Sequence, residues 1–102
     1  MNIQHRLNGT TLHVGLIGEL DESHAAFVRE HLDEMFEKCK ISEAIIDMSE
    51  LSFMDSTGIG VLIGRYKALK NKGVRLFVER PSRAVDKVLS LTGIYKIIPK
   101  IC

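Results

Sequence analysis

Short apolar runs rich in β-branched residues alternate along this chain with longer segments whose apolar residues follow helical spacing. This alternation constrains the fold more than any other feature of the sequence. The strand-like runs lie at residues 2–7, 11–17, 44–48, 74–78 and 95–101. The helical segments lie between them, up to about residue 39, at 56–71 and at 81–91. Strands joined through helices require crossover connections, so the pattern predicts a mostly parallel sheet with helices packed against it.

Turn and cap residues separate these segments. Asn8-Gly9 joins the first two runs and is typical of a two-residue hairpin turn, because both residues tolerate a positive φ. The stretch from Gly18 to Asp21 is predicted to end the second strand, with Asp21 or Ser23 capping the first helix. The predicted order is therefore β-β-α-β-α-β-α-β, an α/β fold in which the opening hairpin makes the sheet mixed. A chain of 102 residues is long enough for one domain, which we expect to span residues 1–102.

Two parts of this assignment concern the burial of individual residues, one before the second helix and one in the third helix. A polar connection before the second helix carries Phe53 and Met54, which are either buried beneath it or exposed to a partner. The third helix is predicted to open at Pro81-Ser82. Its inward residues are predicted to be Ala84, Val85, Val88 and Leu89.

Composition and charge exclude several classes of protein. The formal net charge is +1, and the basic stretch from Lys67 to Lys72 resembles a solvated helix end, so nucleic-acid binding is not expected. No apolar run approaches the roughly 20 residues that span a bilayer, and the polar start lacks a signal-peptide core. We therefore expect a cytoplasmic protein without a membrane partner, monomeric when free. Cys39 and Cys102 are expected to be free thiols without a metal, and no cofactor is expected.

The sequence Asp55-Ser56-Thr57-Gly58 stands at the predicted start of the second helix. Short side-chain oxygens at this position accept hydrogen bonds from the unpaired backbone N–H groups, so the motif is explained by capping alone. The same geometry also leaves a hydroxyl exposed at the positive end of the helix dipole. A phosphate attached there would be tolerated by the fold, which makes Ser56 a candidate for phosphorylation.

Residues 53–66, the upstream Gly18-Glu19-Leu20-Asp21 and the Gly-Ile-Tyr-Lys-Ile-Ile sequence at 93–98 carry a resemblance to a known family. The chain resembles the STAS domain of bacterial anti-sigma factor antagonists, most closely the members that act in sporulation. The resemblance covers nearly the whole chain and includes the order of its elements. Many members of the family carry a further helix after the position that corresponds to Cys102.

The resemblance implies a function that depends on partner binding rather than catalysis. In similar proteins the serine after the loop aspartate, here Ser56, is phosphorylated, with Thr57 as a poorer acceptor. The implied partner is an anti-sigma factor that is also a serine kinase, and a separate serine phosphatase would restore the unphosphorylated form. The loop at residues 18–21 follows a strand and precedes a helix, as the Ser56 loop does, so we expect both at one end of the sheet. The residues expected to form the partner surface are Gly18, Glu19, Leu20, Asp21, Asp55, Ser56, Thr57 and Gly58.

Other readings of the sequence have less support. Gly58, Gly60 and Gly64 approach a dinucleotide fingerprint, but the third glycine is one residue late, and Ser56 lies in no nucleophile elbow. A receiver-like domain would use Asp47 at the end of a central strand as its phosphoacceptor, yet its paired acids and lysine are missing. A third alternative is a STAS interaction module in general stress signalling.

Overall fold

Five strands and three helices make up the computed structural model, which describes residues 1–102. The strands are β1 (Asn2–Asn8), β2 (Thr11–Leu20), β3 (Glu43–Asp47), β4 (Leu51–Met54) and β5 (Arg75–Glu79). The helices are α1 (Glu22–Lys38), α2 (Ser56–Asn71) and α3 (Arg83–Thr92), and a short 3-10 turn follows at Ile94–Lys96. None of these helices combines the length and the apolar character that crossing a membrane requires.

The sheet is mixed and mostly parallel, as predicted. Its main path runs β1-β2-β3-β5, and β4 pairs with the far end of β2. Only the opening hairpin, β1 with β2, is antiparallel, whereas the pairings of β2 with β3, β2 with β4 and β3 with β5 are parallel. The α/β fold class inferred from the alternation of segments is therefore confirmed.

One face of the sheet and the stripes of α1 and α2 form the core. In β2 every second residue, Leu12, Val14 and Leu16, is almost fully buried, as period-two alternation requires. The buried stripe of α1 contains Ala25, Val28, Leu32, Met35 and Phe36. In α2 the buried residues are Gly58, Ile59, Val61, Leu62, Arg65 and Leu69. This helix therefore contacts neighbours on more than one side.

The prediction of a polar connection carrying Phe53 and Met54 is wrong, because residues 51–54 form β4. The strand was missed because Leu51 and Met54 are buried while Ser52 and Phe53 are exposed, which is not a period-two pattern. The predicted end of the second strand at Gly18 is also wrong, since β2 continues to Leu20. Gly18 has a φ of +120° and marks a shift in register, after which β2 pairs with β4.

The last predicted strand, at residues 95–101, is replaced by the 3-10 turn and an extended C-terminal segment. Ile98 donates its amide to the carbonyl of Ile94 at 2.9 Å, so residues 94–98 close a turn. The following residues run alongside β5. The amide of Val78 donates a hydrogen bond to the carbonyl of Pro99, and the carbonyl of Val78 accepts one from the amide of Ile101. A single bridge, Val78 with Lys100, remains of the expected ladder. The apolar run was misread as a strand because Ile94 and Ile98 are buried at turn spacing.

The third helix begins at Arg83, and Ser82 precedes it as the N-cap residue. Val85 and Leu89 are buried as predicted, and Val88 is half-buried. Ala84 is exposed, so its predicted inward position is wrong. The Ser82 hydroxyl donates to the carbonyl of Leu51 at 2.6 Å, which ties the start of α3 to β4.

An ion pair between Asp33 of α1 and Arg65 of α2 joins these two helices. The Nε atom of Arg65 lies 2.8 Å from Oδ1 of Asp33, and the two side chains are 11% and 46% exposed. The guanidinium and the carboxylate are not oriented for a hydrogen bond through Nε, and Nη1 of Arg65 is also buried without a hydrogen-bond partner. Removing the carboxylate would leave a mostly buried guanidinium without a counter-charge, which is costly even where one partner is half-exposed.

Replacing Asp33 by alanine is therefore expected to lower the free energy of unfolding by about 1–3 kcal/mol, between the values for exposed and buried ion pairs. The measurement is equilibrium unfolding in urea. Glu34→Ala is the matched control, because it removes the exposed pair with Lys38 on the same helix and should cost much less than Asp33→Ala. Equal losses in the two variants would contradict a structural role for the Asp33–Arg65 pair.

Candidate functional site

The parallel pairing of β2 with β4 places the starts of α1 and α2 side by side. Leu20 and Met54 are partners in register, and the next residue of each strand is an aspartate. Asp21 caps α1 by accepting from the amide of His24 at 3.2 Å. Asp55 caps α2 by accepting from the amide of Thr57 at 3.0 Å. The two segments singled out in the sequence, 18–21 and 55–58, thus lie at one edge of the sheet.

Ser56 is the first residue of α2, and its side chain is exposed. The cap is made by Asp55 and not by Ser56, which leaves the serine hydroxyl free of the capping interaction. Thr57 is half-buried, and Gly58 is buried. Of the two neighbouring hydroxyls, that of Ser56 is therefore the more accessible to another protein.

Gly58 sits where α2 comes closest to the paired strands. A Cβ atom at this position would lie 2.7 Å from Cγ of Met54 and 3.0 Å from Cγ of Leu20. These two residues are the register partners that end β2 and β4. The absence of a side chain at residue 58 therefore lets the first turn of α2 rest directly on the strand ends, which fixes the position of Ser56.

An exposed aromatic side chain stands on β4, three residues before Ser56 in the sequence. Phe53 is 44% exposed and is the register partner of Glu19, which is also exposed. The hydroxyl of Ser52 donates to the carbonyl of Gly18 at 3.0 Å and adds a tie between the two strands. Of the two residues left open by the sequence, Met54 is thus the buried anchor and Phe53 the exposed one. Alternation along a strand separates them once β4 is recognised.

Carboxylates dominate the charge at this edge. Glu19, Asp21, Glu22 and Asp55 lie within the two segments or directly beside them. The hydroxyl of Ser23 and then the ring of His24 hydrogen-bond Asp21 and lower the pKa of its carboxyl. Asp21 is therefore ionised at neutral pH, and a phosphate on Ser56 would add charge to a surface that is already negative.

Asp47, the residue that a receiver-like domain would use, lies away from Ser56. It ends β3 and borders a polar groove of about 540 Å³ together with Gly15 and Arg80. Burial opposes its ionisation, but hydrogen bonds from Ser49 and Arg80 outweigh that effect and lower the pKa of Asp47. Its carboxylate is already occupied by the ion pair with Arg80 and the amide of Ser49.

Metal-ligating side chains do not cluster in this fold. No three His, Cys, Asp or Glu side chains come together in an arrangement that could hold a metal ion. Cys39 and Cys102 are both free thiols, the first half-buried and the second exposed. The chemistry at the edge of the sheet is therefore that of hydroxyls, carboxylates and one exposed aromatic ring.

Comparisons with known proteins agree with this architecture. The STAS domain family model matches residues 2–102. The anti-sigma F factor antagonist of Paenibacillus polymyxa is 35% identical over 101 residues, 97% of this chain and 86% of that protein. The anti-sigma-B factor antagonist of Bacillus subtilis is 32% identical over 98 residues, 96% of this chain and 88% of that protein.

Solved structures show the same likeness. The unphosphorylated form of the anti-sigma factor antagonist SpoIIAA superposes with a TM-score of 0.82 at 26% identity, covering 99% of this chain and 89% of that one. The phosphorylated form of the Bacillus cell fate determinant SpoIIAA gives a TM-score of 0.73 at 25% identity, covering 99% and 92% of the two chains.

Replacing Gly58 by alanine is expected to destabilise the protein by about 1–3 kcal/mol, because the added methyl group overlaps Met54 and Leu20. Gly60→Ala in the same helix is the control. A Cβ atom at residue 60 meets nothing within 4 Å, so this change should stabilise the helix by about 0.5–1 kcal/mol. Thermal or urea unfolding of both variants measures the difference. A stabilising Gly58→Ala change would show that α2 does not rest on the strand ends.

Proposed function

The chain belongs to the STAS domain family, and from that premise we propose that it is an anti-sigma factor antagonist switched by phosphorylation at Ser56. The unphosphorylated protein binds an anti-sigma factor that is also a serine kinase, and this binding frees the sigma factor. Phosphorylation by the same partner ends the binding, and a serine phosphatase reverses it. The antagonist accepts a phosphoryl group and catalyses no reaction itself. Because transcription is controlled in the cytoplasm, the proposal places the protein there.

The observation that supports this proposal best is the exposed hydroxyl of Ser56 at the first position of α2. A phosphate at a helix start is favoured by the helix dipole, by about 0.3–1 kcal/mol in exposed positions. The neighbouring Asp55 carboxylate opposes it with a repulsion of similar size. The two effects nearly cancel, so the phosphorylated protein should keep its fold.

The switch then works by charge and not by a change of shape. A phosphate carries nearly two negative charges at neutral pH. Leaving a charge buried and unpaired in an interface costs about 2–5 kcal/mol, which corresponds to a loss of affinity between roughly 30-fold and several thousand-fold. A loss of this size releases a partner that is held at sub-micromolar affinity.

The partner surface consists of the two segments at the edge of the sheet. Residues 18–21 and 55–58 supply backbone and carboxylate contacts around Ser56, and Phe53 supplies the apolar anchor that such a surface needs. Aromatic residues are enriched among the side chains that contribute most to binding, and Phe53 is held on a paired strand, so little freedom is lost when it is buried.

The proposal names the class of partner and leaves the sigma factor open. The two relatives described above carry the names of anti-sigma F and anti-sigma-B factor antagonists. Their identities to this chain, 35% and 32%, do not separate a sporulation role from a general stress role. Both roles use the same chemistry at Ser56.

Incubation with an anti-sigma factor kinase and ATP is expected to place one acid-stable phosphate on Ser56. Mass spectrometry of the digested protein locates the phosphate, and Ser56→Ala should abolish it. Ser56→Asp should weaken binding to the kinase by at least about 30-fold in a calorimetric titration, by the charge argument above.

Thr57→Ala is the matched control for the site of modification and should still be phosphorylated on Ser56. Phosphate on Thr57, or a Ser56→Asp variant that binds as tightly as the unmodified protein, would contradict the assignment of the switch. Acid-labile phosphate on Asp47 would support the receiver-like alternative instead.

Phe53→Ala is expected to weaken partner binding by about 10- to 30-fold without changing the fold, because the ring is exposed and makes its contacts in the complex. Leu7→Ala is the control, since Leu7 is similarly exposed but its register partner Leu12 lies at the opposite end of β2 from Leu20. Equal affinities for the two variants, measured by the same titration, would remove Phe53 from the interface.

A further inference from the structure

A second surface lies at the other end of α2, beside the outer edge of the sheet. Here Tyr66 and Lys70 of α2, the start of β5 and the C-terminal segment enclose a cleft of about 270 Å³. Its walls are mainly apolar and include Val74, Leu76, Phe77 and Ile97. Ile97 is 40% exposed, so apolar surface is accessible at the mouth of the cleft.

The size of the cleft limits what it can hold. Small-molecule sites usually have volumes of about 300–1,000 Å³ and enclose most of their ligand. The volume here is slightly below that range, and the cleft is open along the edge of the sheet. It therefore suits one or two side chains of another polypeptide better than a cofactor.

Positive charge surrounds this cleft. Between Ser56 and Val78 the chain contains no Asp or Glu, whereas Lys67, Lys70, Lys72 and Arg75 lie in this stretch, besides Arg65, which is paired with Asp33. The segment from Lys87 to Cys102 also lacks acids and carries Lys96 and Lys100. Glu43 pairs with Arg75 and Asp86 with Lys100, but Lys70, Lys72 and Lys96 form no ion pair. Among the residues that line the cleft, the unpaired charge is that of Lys70 and is thus positive, and Lys72 and Lys96 stand close to lining residues in the sequence.

Two of these cations are held in place at the cleft itself. The Lys70 ammonium lies 5.8 Å from the centre of the Tyr66 ring, and the Arg75 guanidinium lies 5.7 Å from the centre of the Phe77 ring. Contacts of this kind keep a cation beside an apolar surface. A second copy of the chain would bring the same positive charge to the contact, which disfavours self-association through this face.

We propose that this cleft, defined by Tyr66, Lys70, Arg75, Phe77 and Ile97, is a docking site for an acidic polypeptide segment that inserts one apolar side chain. The apolar walls would bury the side chain, and the unpaired lysines would face the flanking carboxylates. The site is separate from Ser56, because Tyr66 and Lys70 lie 10 and 14 residues further along α2, which is roughly 15–21 Å at 1.5 Å per residue. The proposal does not depend on the antagonist function.

The test is titration of the isotope-labelled protein with an acidic heptapeptide that carries one central phenylalanine, followed by amide chemical shifts. The expected result is a set of shifts confined to Leu76, Phe77, Ile97 and their neighbours. The double variant Lys70→Glu/Lys72→Glu should bind about three- to tenfold more weakly, as expected for two exposed charge pairs. Arg29→Glu/Lys87→Glu is the control for total charge and should bind as the unmodified protein does.

Three outcomes would overturn the proposal. The first is an absence of shifts at the cleft. The second is equal binding of a heptapeptide with the same charge and a central glycine, which would show that no side chain is inserted. The third is tighter binding of a single-stranded heptanucleotide at the same residues, which would make this edge a nucleic-acid surface. The amide spectrum of each variant also verifies that it is folded.

Discussion

The parallel pairing of β2 with β4 is the contact on which the arrangement of the site depends. β2 pairs with β3 through Gly15 and, after the shift at Gly18, with β4 up to Leu20. A single strand therefore has two parallel partners along one of its edges. A side chain at residue 18 would place its Cβ 3.2 Å from the Cα of Met1, at a φ of +120° that only glycine adopts readily. The conformation of this one residue lets the sheet present two loops at the same edge.

A site built on strand ends is rigid, and rigidity determines how it can be switched. Asp21 and Asp55 cap helices that rest on Leu20 and Met54, and Gly58 brings α2 into direct contact with those two side chains. Moving the first turn of α2 would separate it from this packing. A phosphate on Ser56 would not supply the energy for such a movement, because the helix dipole attracts it while the Asp55 carboxylate repels it. For the proposed switch, a change in surface charge is therefore a better account than a change in backbone conformation.

The sequence predicted the features that follow from periodicity and from single cap residues. The opening hairpin and the parallel sheet are present, and of the predicted cap candidates Asp21 and Asp55 make the caps. The hairpin turn itself is wrong by one residue, because Asn8 pairs with Thr11 and the turn is Gly9-Thr10, with a positive φ at Gly9 alone. The sequence did not predict β4, because a four-residue strand with two adjacent exposed residues has no readable period. The strand predicted at residues 95–101 is absent, because the isoleucines there have the spacing of a turn and only their apolar character is typical of a strand. The register of β2 with β4, which joins the two halves of the candidate site, is a tertiary property that no local pattern encodes.

The distribution of charge along α2 connects local stability with recognition. Its first turn contains no cation, and its basic residues, Arg65, Lys67 and Lys70, occupy the second half. Lys70 lies in the last turn, where a cation interacts favourably with the negative pole of the helix and so stabilises α2. The same placement separates an acidic edge around Ser56 from a basic edge around Tyr66. Under the proposed switch, a phosphate on Ser56 would add to the charge of the acidic edge and leave the basic edge around Tyr66 unchanged.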